Sequence, residues 1–179
     1  IIIGITIAIN HQSINKYVFK KDLVSEFVEK TYQIESSMEF LRGRYKIDEI
    51  SIAILHNGIT AINHPNFHLL KFSVIFSVGP NSRANKVLYT DQPLSLWLEG
   101  FRKMLRTGYY VIPDMSKSKD PLVRRLHEAI GKKTQVYLPL YKGGHLIGFC
   151  VISYVEETEL TRKDVLDMKR SVEDIESKL

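Results

Sequence analysis

Three histidines and a carboxylate are the first residues that could do chemistry. His56, His64, His68 and Glu99 carry metal-ligating groups. Their spacing matches neither a helical His-x3-His pair nor a turn-based zinc site, so we interpret the histidines as solvated loop residues. The single cysteine, Cys150, excludes an internal disulfide and a cysteine-rich zinc site, and its apolar surroundings favour a buried structural thiol. The sequence therefore predicts neither a metal centre nor a cofactor.

Catalytic arrangements are also missing from the sequence. It contains no nucleophile elbow, no phosphate-binding loop, no carboxylate pair in an apolar setting and no recognisable His–Cys pair. Ser73 and Ser77 lie on a predicted strand, but no partner for them can be placed from the sequence. We therefore expect no catalytic residues and a protein that is not an enzyme.

Composition and charge describe a folded chain. Of its 179 residues, 44% are hydrophobic and 25% are charged, which is ordinary for a domain with a core. The formal net charge is +5, but the basic residues are scattered in pairs such as Arg124-Arg125 and Lys132-Lys133. Short pairs of this kind usually solvate helix ends and loops, so nucleic-acid binding is not expected.

The N-terminal run Ile1–Ile9 is uncharged and consists mostly of isoleucine. Nine residues cannot cross a bilayer, which takes about 20. The run is either the end of a transmembrane helix that begins outside this sequence, or an edge strand or hydrophobic arm. The polar and basic residues that follow favour the membrane interpretation. We assign residues 1–12 to this segment and expect a membrane-associated protein whose main domain is cytoplasmic.

A long helix is predicted next, over Ser13–Arg42, with Ser13 as its N-cap and Gly43 as its end. Its apolar residues follow a heptad pattern with one interruption at Lys20. The pattern consists of Tyr17, Val24, Phe27, Thr31, Ile34, Met38 and Leu41. Residues 13–44 are thus predicted to form a stalk or a coiled-coil helix.

Residues 45–179 carry the signals of one α/β domain of the α+β type. The first predicted elements are a strand over 49–55, a turn at 56–58, an irregular loop over 63–68 and a strand over 72–78. A helix over 94–106, a strand over 109–112 and a helix from Asp120-Pro121 to Ile130 follow. The last elements are a Gly-Gly hairpin of strands 134–141 and 146–155 and a helix over Thr161–Leu179. This order predicts a central antiparallel sheet flanked by helices, with long N- and C-terminal helices at one side.

The second half of the chain contains four stretches that form a recognisable pattern: Val111–Asp114, Val136–Leu140, Tyr141–Phe149 and the closing helix. Together they resemble a GAF domain. The most recognisable feature is a strand with a proline, a polar turn with glycines and an apolar return strand that contains Ile-Gly. Residues 47–81 resemble the opening strands less specifically. Leu55-His56-Asn57-Gly58 is similar to a stretch in small phage-encoded proteins with a membrane anchor and a GAF-like domain.

The resemblance implies a pocket over the sheet that binds a small molecule, or a domain that dimerises and relays a signal. The specialised branches of the family are not matched. The Asn-Lys-Phe-Asp-Glu pattern of cyclic-nucleotide binders is absent, and one cysteine cannot form the disulfide relay of free methionine sulfoxide reductases. A chromophore-attachment cysteine, as in phytochromes, is not expected either, because Cys150 lies in a predicted core strand.

Six residues are candidates for ligand binding because the implied pocket lies near them: His56, Asn57, Tyr110, Asp114, Arg124 and Tyr137. Each also has a structural interpretation. Asn57 suits a turn, Asp114 suits a cap, and the tyrosines suit a core with hydrogen-bonded hydroxyls. Arg124 could pair with an anionic ligand or face solvent.

These observations predict a membrane-tethered, non-enzymatic GAF-like domain that senses a small molecule or docks a protein. The alternative is a phage structural or lysis-associated membrane protein, associated with the virion, that uses the scaffold for assembly. In both cases we expect a homo-oligomer formed through the helices Ser13–Arg42 and Thr161–Leu179, with Ile1–Ile9 as the possible membrane contact.

Overall fold

The computed structural model describes the backbone of residues 2–61 and 64–179 and the side chains of residues 23–56, 70–126 and 128–179. Its elements, in chain order, are α1 (Ile2–Tyr45), β1 (Glu49–Ala61), β2 (His64–Val78), α2 (Ser82–Leu88), β3 (Gln92–Pro93), a 3₁₀ turn (Leu94–Trp97), α3 (Leu98–Thr107), β4 (Tyr110–Ile112), α4 (Pro121–Ile130), β5 (Thr134–Lys142), β6 (His145–Tyr154) and α5 (Arg162–Glu176). The prediction of an α/β fold with a central antiparallel sheet is confirmed.

One six-stranded sheet organises the fold, in the order β3-β2-β1-β6-β5-β4. Every neighbouring pair is antiparallel. The hairpin of β5 and β6 closes at Lys142 and His145 around Gly143 and Gly144, whose φ angles are 58° and 81°. Two successive positive φ angles suit glycine and match the right-handed twist of the strands, so this hairpin was predictable from its turn.

The main core lies between one face of the sheet and the two terminal helices. Strand residues that alternate along β1, β5 and β6 face α1 and α5, as expected for a period of two. Ile34, Met38 and Leu41 of α1 share a buried cluster with Met168 and the other apolar residues of α5. The terminal helices, which were predicted to lie at one side of the sheet, therefore pack on each other along this part of α1.

Helix α1 is longer than predicted at both ends. Residues 2–9 are helical, so the interpretation of this run as a strand is wrong. Ile1 lies outside the described residues. The backbone also does not break between the predicted segments 1–12 and 13–44. Gly43 does not end the helix. The left-handed residue is Lys46, with φ 51°, and Ile47 N–H donates to Arg42 O at 3.0 Å in a Schellman-type end.

The hairpin of β1 and β2 also differs from the prediction. His56-Asn57-Gly58 forms no turn, because β1 continues through it to Ala61. Residues 64–68, predicted as a loop, belong to β2. Its pairing with β1 accommodates the irregular sequence by shifts in register near Asn57 and Thr60. The predicted loop residue Asn63 lies outside the described residues.

The helical region after β2 contains two further differences. Helix α2 was not predicted, since it buries no residue and so shows no apolar periodicity. The predicted helix over 94–106 is divided into a 3₁₀ turn and α3, and Pro93 lies on β3 instead of in the first helical turn.

Among the residues whose placement is described, no helix is both long enough and apolar enough to cross a membrane.

Candidate functional site

The face of the sheet opposite α1 and α5 carries a row of polar residues. On this face, Glu49 of β1 lies opposite Ser153 of β6, and Ser153 lies opposite Gln135 of β5. All three side chains are buried. Buried polar groups in a sheet need partners, so this row is the first sign of a site.

A cavity of about 800 Å³ lies over this face. The sheet forms its floor, and α3, α4 and the loop over residues 113–120 cover it. Its apolar lining includes Phe72, Val74, Trp97, Phe101, Met104, Ile112, Val123, Leu126, Phe149 and Val151. Concave sites with mostly apolar walls and a few polar groups are typical of small-molecule binding.

A chain of hydrogen bonds satisfies one part of the polar row. The Tyr137 hydroxyl donates to Gln135 Oε1 at 2.6 Å, and Gln135 Nε2 donates to Ser153 Oγ at 3.2 Å. Burial raises the pKa of Tyr137 above its ordinary value, with smaller contributions from Tyr89 and Tyr110. The Tyr137 hydroxyl therefore stays protonated and acts as a donor, which fixes the orientation of the Gln135 amide.

A buried ion pair forms the other part. Glu49 Oε2 lies 3.0 Å from Lys132 Nζ, and the two side chains are only 1% and 3% exposed. Asn85 Nδ2 donates to the second oxygen, Glu49 Oε1. Burial, followed by the charge of Glu49, raises the pKa of the nearby Tyr89 to about 12. Two charges and a neutral phenol thus meet at one end of the cavity.

Aromatic rings line the other end. Phe149 lies at their centre, with its ring centroid 5.1 Å from that of Phe72 and 5.0 Å from that of Phe101, both in edge-to-face geometry. Trp97 packs edge-to-face on Phe72 at 6.0 Å. This arrangement offers ring faces and edges to a ligand at little cost in side-chain entropy.

Three of the six candidate residues line the cavity: Tyr110, Asp114 and Tyr137. The two tyrosine rings stack with centroids 6.0 Å apart, and Lys103 Nζ lies 5.2 Å from the centroid of Tyr110. Asp114 caps its own turn, as its structural interpretation predicted, because its carboxylate accepts from Ser116 N–H at 2.9 Å. Hydrogen bonds from Lys117 and the Ser116 hydroxyl lower the pKa of Asp114, so it is ionised at neutral pH.

His56 and Arg124 do not line the cavity. His56 Nε2 lies 2.9 Å from Ser73 Oγ, in a hydrogen bond between β1 and β2, and 3.4 Å from Asp91 Oδ1. Arg124 is exposed and donates to Ser118 O at 2.6 Å, so it supports the covering loop from outside. The side chain of Asn57 lies outside the described residues.

The residues that sequence reasoning missed are Glu49, Lys132, Gln135 and Ser153. Glu49 opens an apolar strand and Lys132 follows Gly131, so both look like ordinary flanking charges. The available signal was period-two alternation, since a polar residue that shares a face with core positions of a strand must be satisfied or functional. Among the described residues, no group of three or more His, Cys, Asp or Glu is placed to hold a metal ion. The arrangement can hold a molecule by packing and hydrogen bonding.

Comparison with known proteins places this geometry in a familiar fold. No protein-family model and no curated protein matches the chain. Among solved structures, the GAF domain region of a putative membrane protein from Geobacter sulfurreducens PCA is similar, with a TM-score of 0.64 and 14% identity over 88% of this chain and 97% of that one.

Two further structures share the fold. One is the phycocyanobilin-bound GAF domain of a cyanobacterial phytochrome, with a TM-score of 0.61 and 16% identity over 83% of this chain and 82% of that one. The other is a type II free methionine-R-sulfoxide reductase from Thermoplasma acidophilum, with a TM-score of 0.56 and 13% identity over 83% and 91%. Identities this low establish the architecture alone, and on that basis the chain has the fold of a GAF domain.

Proposed function

We propose that this protein is a sensory domain that binds a small organic molecule in the cavity over the sheet and does not transform it. The observation that carries the proposal is the cavity itself. Its volume of about 800 Å³ lies within the range of roughly 300–1,000 Å³ that is usual for ligand sites. Its aromatic end suits a ring or another flat apolar group, and its polar row suits a hydrogen-bonding group.

The position of the cysteine supports reversible binding. Cys150 is buried in the cluster on the opposite face of the sheet, against α1 and α5, and burial raises the pKa of its thiol to about 12. A molecule in the cavity therefore cannot reach it for covalent attachment. Of the three structures above, one contains a bound bilin and another is a reductase, so the fold serves both binding and catalysis. Here the proposal is binding.

Trp97 provides the experiment, because it is the sole tryptophan of the chain and it lines the cavity. An anilinonaphthalene sulfonate dye is titrated into the full chain. Trp97 is excited, and the emission of Trp97 and of the dye is recorded. Saturable energy transfer from Trp97 to one dye molecule is the expected result. Trp97 emission that does not change when the dye is added would contradict an accessible cavity.

A pair of variants separates the cavity from other apolar surfaces. Val151→Phe adds volume at a partly buried position that lines the cavity, whereas Val155→Phe makes the same change at an exposed position just after β6. We expect V151F to abolish the saturable transfer and V155F to keep it. Equal transfer in both variants would place the dye elsewhere and remove support for the proposal.

Membrane tethering through Ile1–Ile9 is a second part of the proposal, and its support is the apolar sequence at the start of α1. The part of α1 between Ile9 and Ile34, where the buried core begins, would hold the domain about 38 Å from the attachment point at 1.5 Å per residue. Flotation of the full chain with phosphatidylcholine–phosphatidylglycerol vesicles tests it. Co-flotation that is lost in Ile3→Asp/Ile7→Asp is expected, and a chain that stays with the soluble fraction would contradict it. No described contact favours the alternative of a phage assembly protein.

A further inference from the structure

The charged groups at the inner end of the cavity are already paired with each other. Glu49 Oε2 and Lys132 Nζ lie 3.0 Å apart, and both atoms are covered by protein. Asn85 Nδ2 donates to the other oxygen of the same carboxylate. Because the pair as a whole is neutral, a charged group that entered this end would lose its hydration without meeting an uncompensated countercharge in the pair.

Asp114 is a second buried carboxylate of the lining, and it is occupied in the same way. One oxygen lies 2.7 Å from Lys117 Nζ, and the other accepts from the Ser116 N–H and hydroxyl. Lys117 is 71% exposed, so this pair belongs to the open side of the cavity. A charged group can stay there in contact with water, as the sulfonate of the dye used above would. The interior favours the uncharged part of a molecule.

The hydrogen-bond chain of the polar row has a direction. The Tyr137 hydroxyl donates to Gln135 Oε1, and Gln135 Nε2 donates to Ser153 Oγ. Because Ser153 Oγ accepts this bond, its own proton points away from Gln135, and none of the described side chains accepts that proton. Ser153 lines the cavity and is 6% exposed. A hydroxyl proton without an acceptor at a cavity wall calls for an acceptor atom on the ligand.

The spacing of residues along β6 sets the size of the ligand. Phe149, Val151 and Ser153 all line the cavity, as alternate residues of one strand do when they share a face. Phe149 is four residues from Ser153, which corresponds to about 13 Å at 3.3 Å per residue. A flat body of two fused rings over Val151 would contact the Phe149 ring at one edge and bring a substituent on the opposite edge to Ser153.

We propose that the cavity takes an uncharged, flat aromatic molecule with a carbonyl-type oxygen, and that Ser153 selects this oxygen by donating a hydrogen bond to it. The inference rests on the proposed function, since it names the class of molecule that the same cavity binds. Molecules whose buried part is a phosphate, a carboxylate or an ammonium group fall outside the class. A molecule that offers only donors leaves the Ser153 proton without an acceptor.

Three probes test the charge of the ligand on the wild-type full chain. Each is a dimethylaminonaphthalene, and they differ only in the group at one ring position, which is a carboxamide, a carboxylate or a protonated aminomethyl group. Energy transfer from Trp97 gives the three dissociation constants near neutral pH. We expect the carboxamide to bind at least about tenfold more tightly than either charged probe. A charged probe that binds as tightly as the carboxamide would overturn the uncharged class.

A pair of variants tests the hydrogen bond from Ser153. Ser153→Ala removes the donor, whereas Ser51→Ala is the matched control. Ser51 lines the same cavity and is also 6% exposed, but its hydroxyl is paired with Ser77 Oγ at 2.9 Å. The two ligands are a dimethylaminonaphthalene with a propionyl group and the same molecule with a propyl group, which lacks the oxygen. Their dissociation constants are measured by displacement of the carboxamide probe.

The preference for the ketone over the propyl compound should depend on the Ser153 hydroxyl. We expect this preference to fall about fivefold in S153A and to stay unchanged in S51A. A ratio of dissociation constants that is unchanged in S153A, or that changes equally in both variants, would contradict selection by Ser153.

The emission of the bound ketone provides a readout that does not depend on stability. A hydrogen bond to the carbonyl of an aminonaphthyl ketone shifts its emission to longer wavelength. The bound ketone should therefore emit at shorter wavelength in S153A than in the wild type or in S51A. The same emission maximum in all three chains would overturn the hydrogen bond.

The results separate this inference from the proposed function. Binding of a charged probe that is as tight as that of the carboxamide and is lost in Val151→Phe would keep the proposed function and overturn only the class of ligand. If the wild-type chain binds none of the probes, both fail together.

Discussion

Glu49 and Lys132 form an ion pair of 3.0 Å at the end of the cavity, although they lie far apart in the sequence. One residue begins β1 and the other precedes β5, and the sheet brings them together through β6. Asn85 of α2 donates to the same carboxylate. Three elements that are not adjacent in the chain therefore meet at one buried charged group.

Breaking this pair should be costly. Lys132→Met leaves the Glu49 carboxylate buried without its countercharge and should lower the free energy of unfolding by about 3–5 kcal/mol. Glu49→Gln/Lys132→Met should be less destabilised than Lys132→Met alone, because a neutral amide oxygen can still accept from Asn85. Urea unfolding followed by circular dichroism measures both values.

Lys133 supplies the matched control. It pairs with Glu156 at 2.9 Å, but both side chains are exposed. Lys133→Met should therefore change the free energy of unfolding by less than about 1 kcal/mol. Equal losses for the two lysines would show that burial does not govern the Glu49–Lys132 contact.

Gly148 lies where β6 passes β1 too closely for a side chain. A Cβ atom at this position would lie 2.1 Å from Ala53 O, a backbone atom that cannot move aside alone. Gly148→Ala should lower the free energy of unfolding by about 3 kcal/mol. Gly43→Ala is the control, because a Cβ atom on that helical glycine meets nothing within 4 Å. It should raise stability by about 0.5–1 kcal/mol, and a harmless G148A would contradict the close approach.

Cys150 should be unreactive in the folded protein. Its thiol is buried, and burial raises its pKa to about 12. Since the thiolate is the reactive form, we expect negligible labelling by a dithiobis-nitrobenzoate reagent at about pH 8. One equivalent should react after addition of guanidinium chloride. Rapid labelling of the native chain would place the thiol at the surface.

Asp114 should give the covering loop a pH-dependent contribution to stability. The hydrogen bonds from Lys117 and Ser116 hold its pKa below the ordinary 3.8. The folded state therefore favours the ionised form, so the contribution is complete above the unfolded pKa and is lost as pH falls through the folded pKa. Asp114→Asn should destabilise the protein near neutral pH, and the difference from wild type should shrink at about pH 2.5. A difference that is independent of pH would exclude a charge effect.

The elements that the sequence predicted well are those with local signals. Helix α4 begins at Pro121, directly after Asp120, and Leu122 N–H donates to Asp120 Oδ1 at 2.9 Å. Helix α5 is capped by Thr161, whose hydroxyl accepts from Asp164 N–H within a capping box. Caps and glycine turns depend on neighbours in sequence, so they can be interpreted without tertiary structure.

The elements that were mispredicted depend on distant contacts. Asn57-Gly58 is a strong local turn signal, yet pairing with β2 carries β1 through it. The site shows the same limit. Tyr110, Asp114 and Tyr137 line the cavity, as the sequence suggested. Glu49 and Lys132 can be recognised as part of the site only after the sheet has brought them together. A single sequence shows that a residue is polar and on a strand, but it does not show which polar residues will share a face and an end of the sheet.

Native mass spectrometry of the freshly purified full chain is the most direct test of the central proposal, that the cavity over the sheet holds a small molecule. We expect a stoichiometric extra mass of a few hundred daltons per chain, retained by Val155→Phe and lost in Val151→Phe, or the same pattern after incubation with a small-molecule extract. A bare mass for the wild-type chain in both conditions, or an adduct retained by V151F, would contradict it.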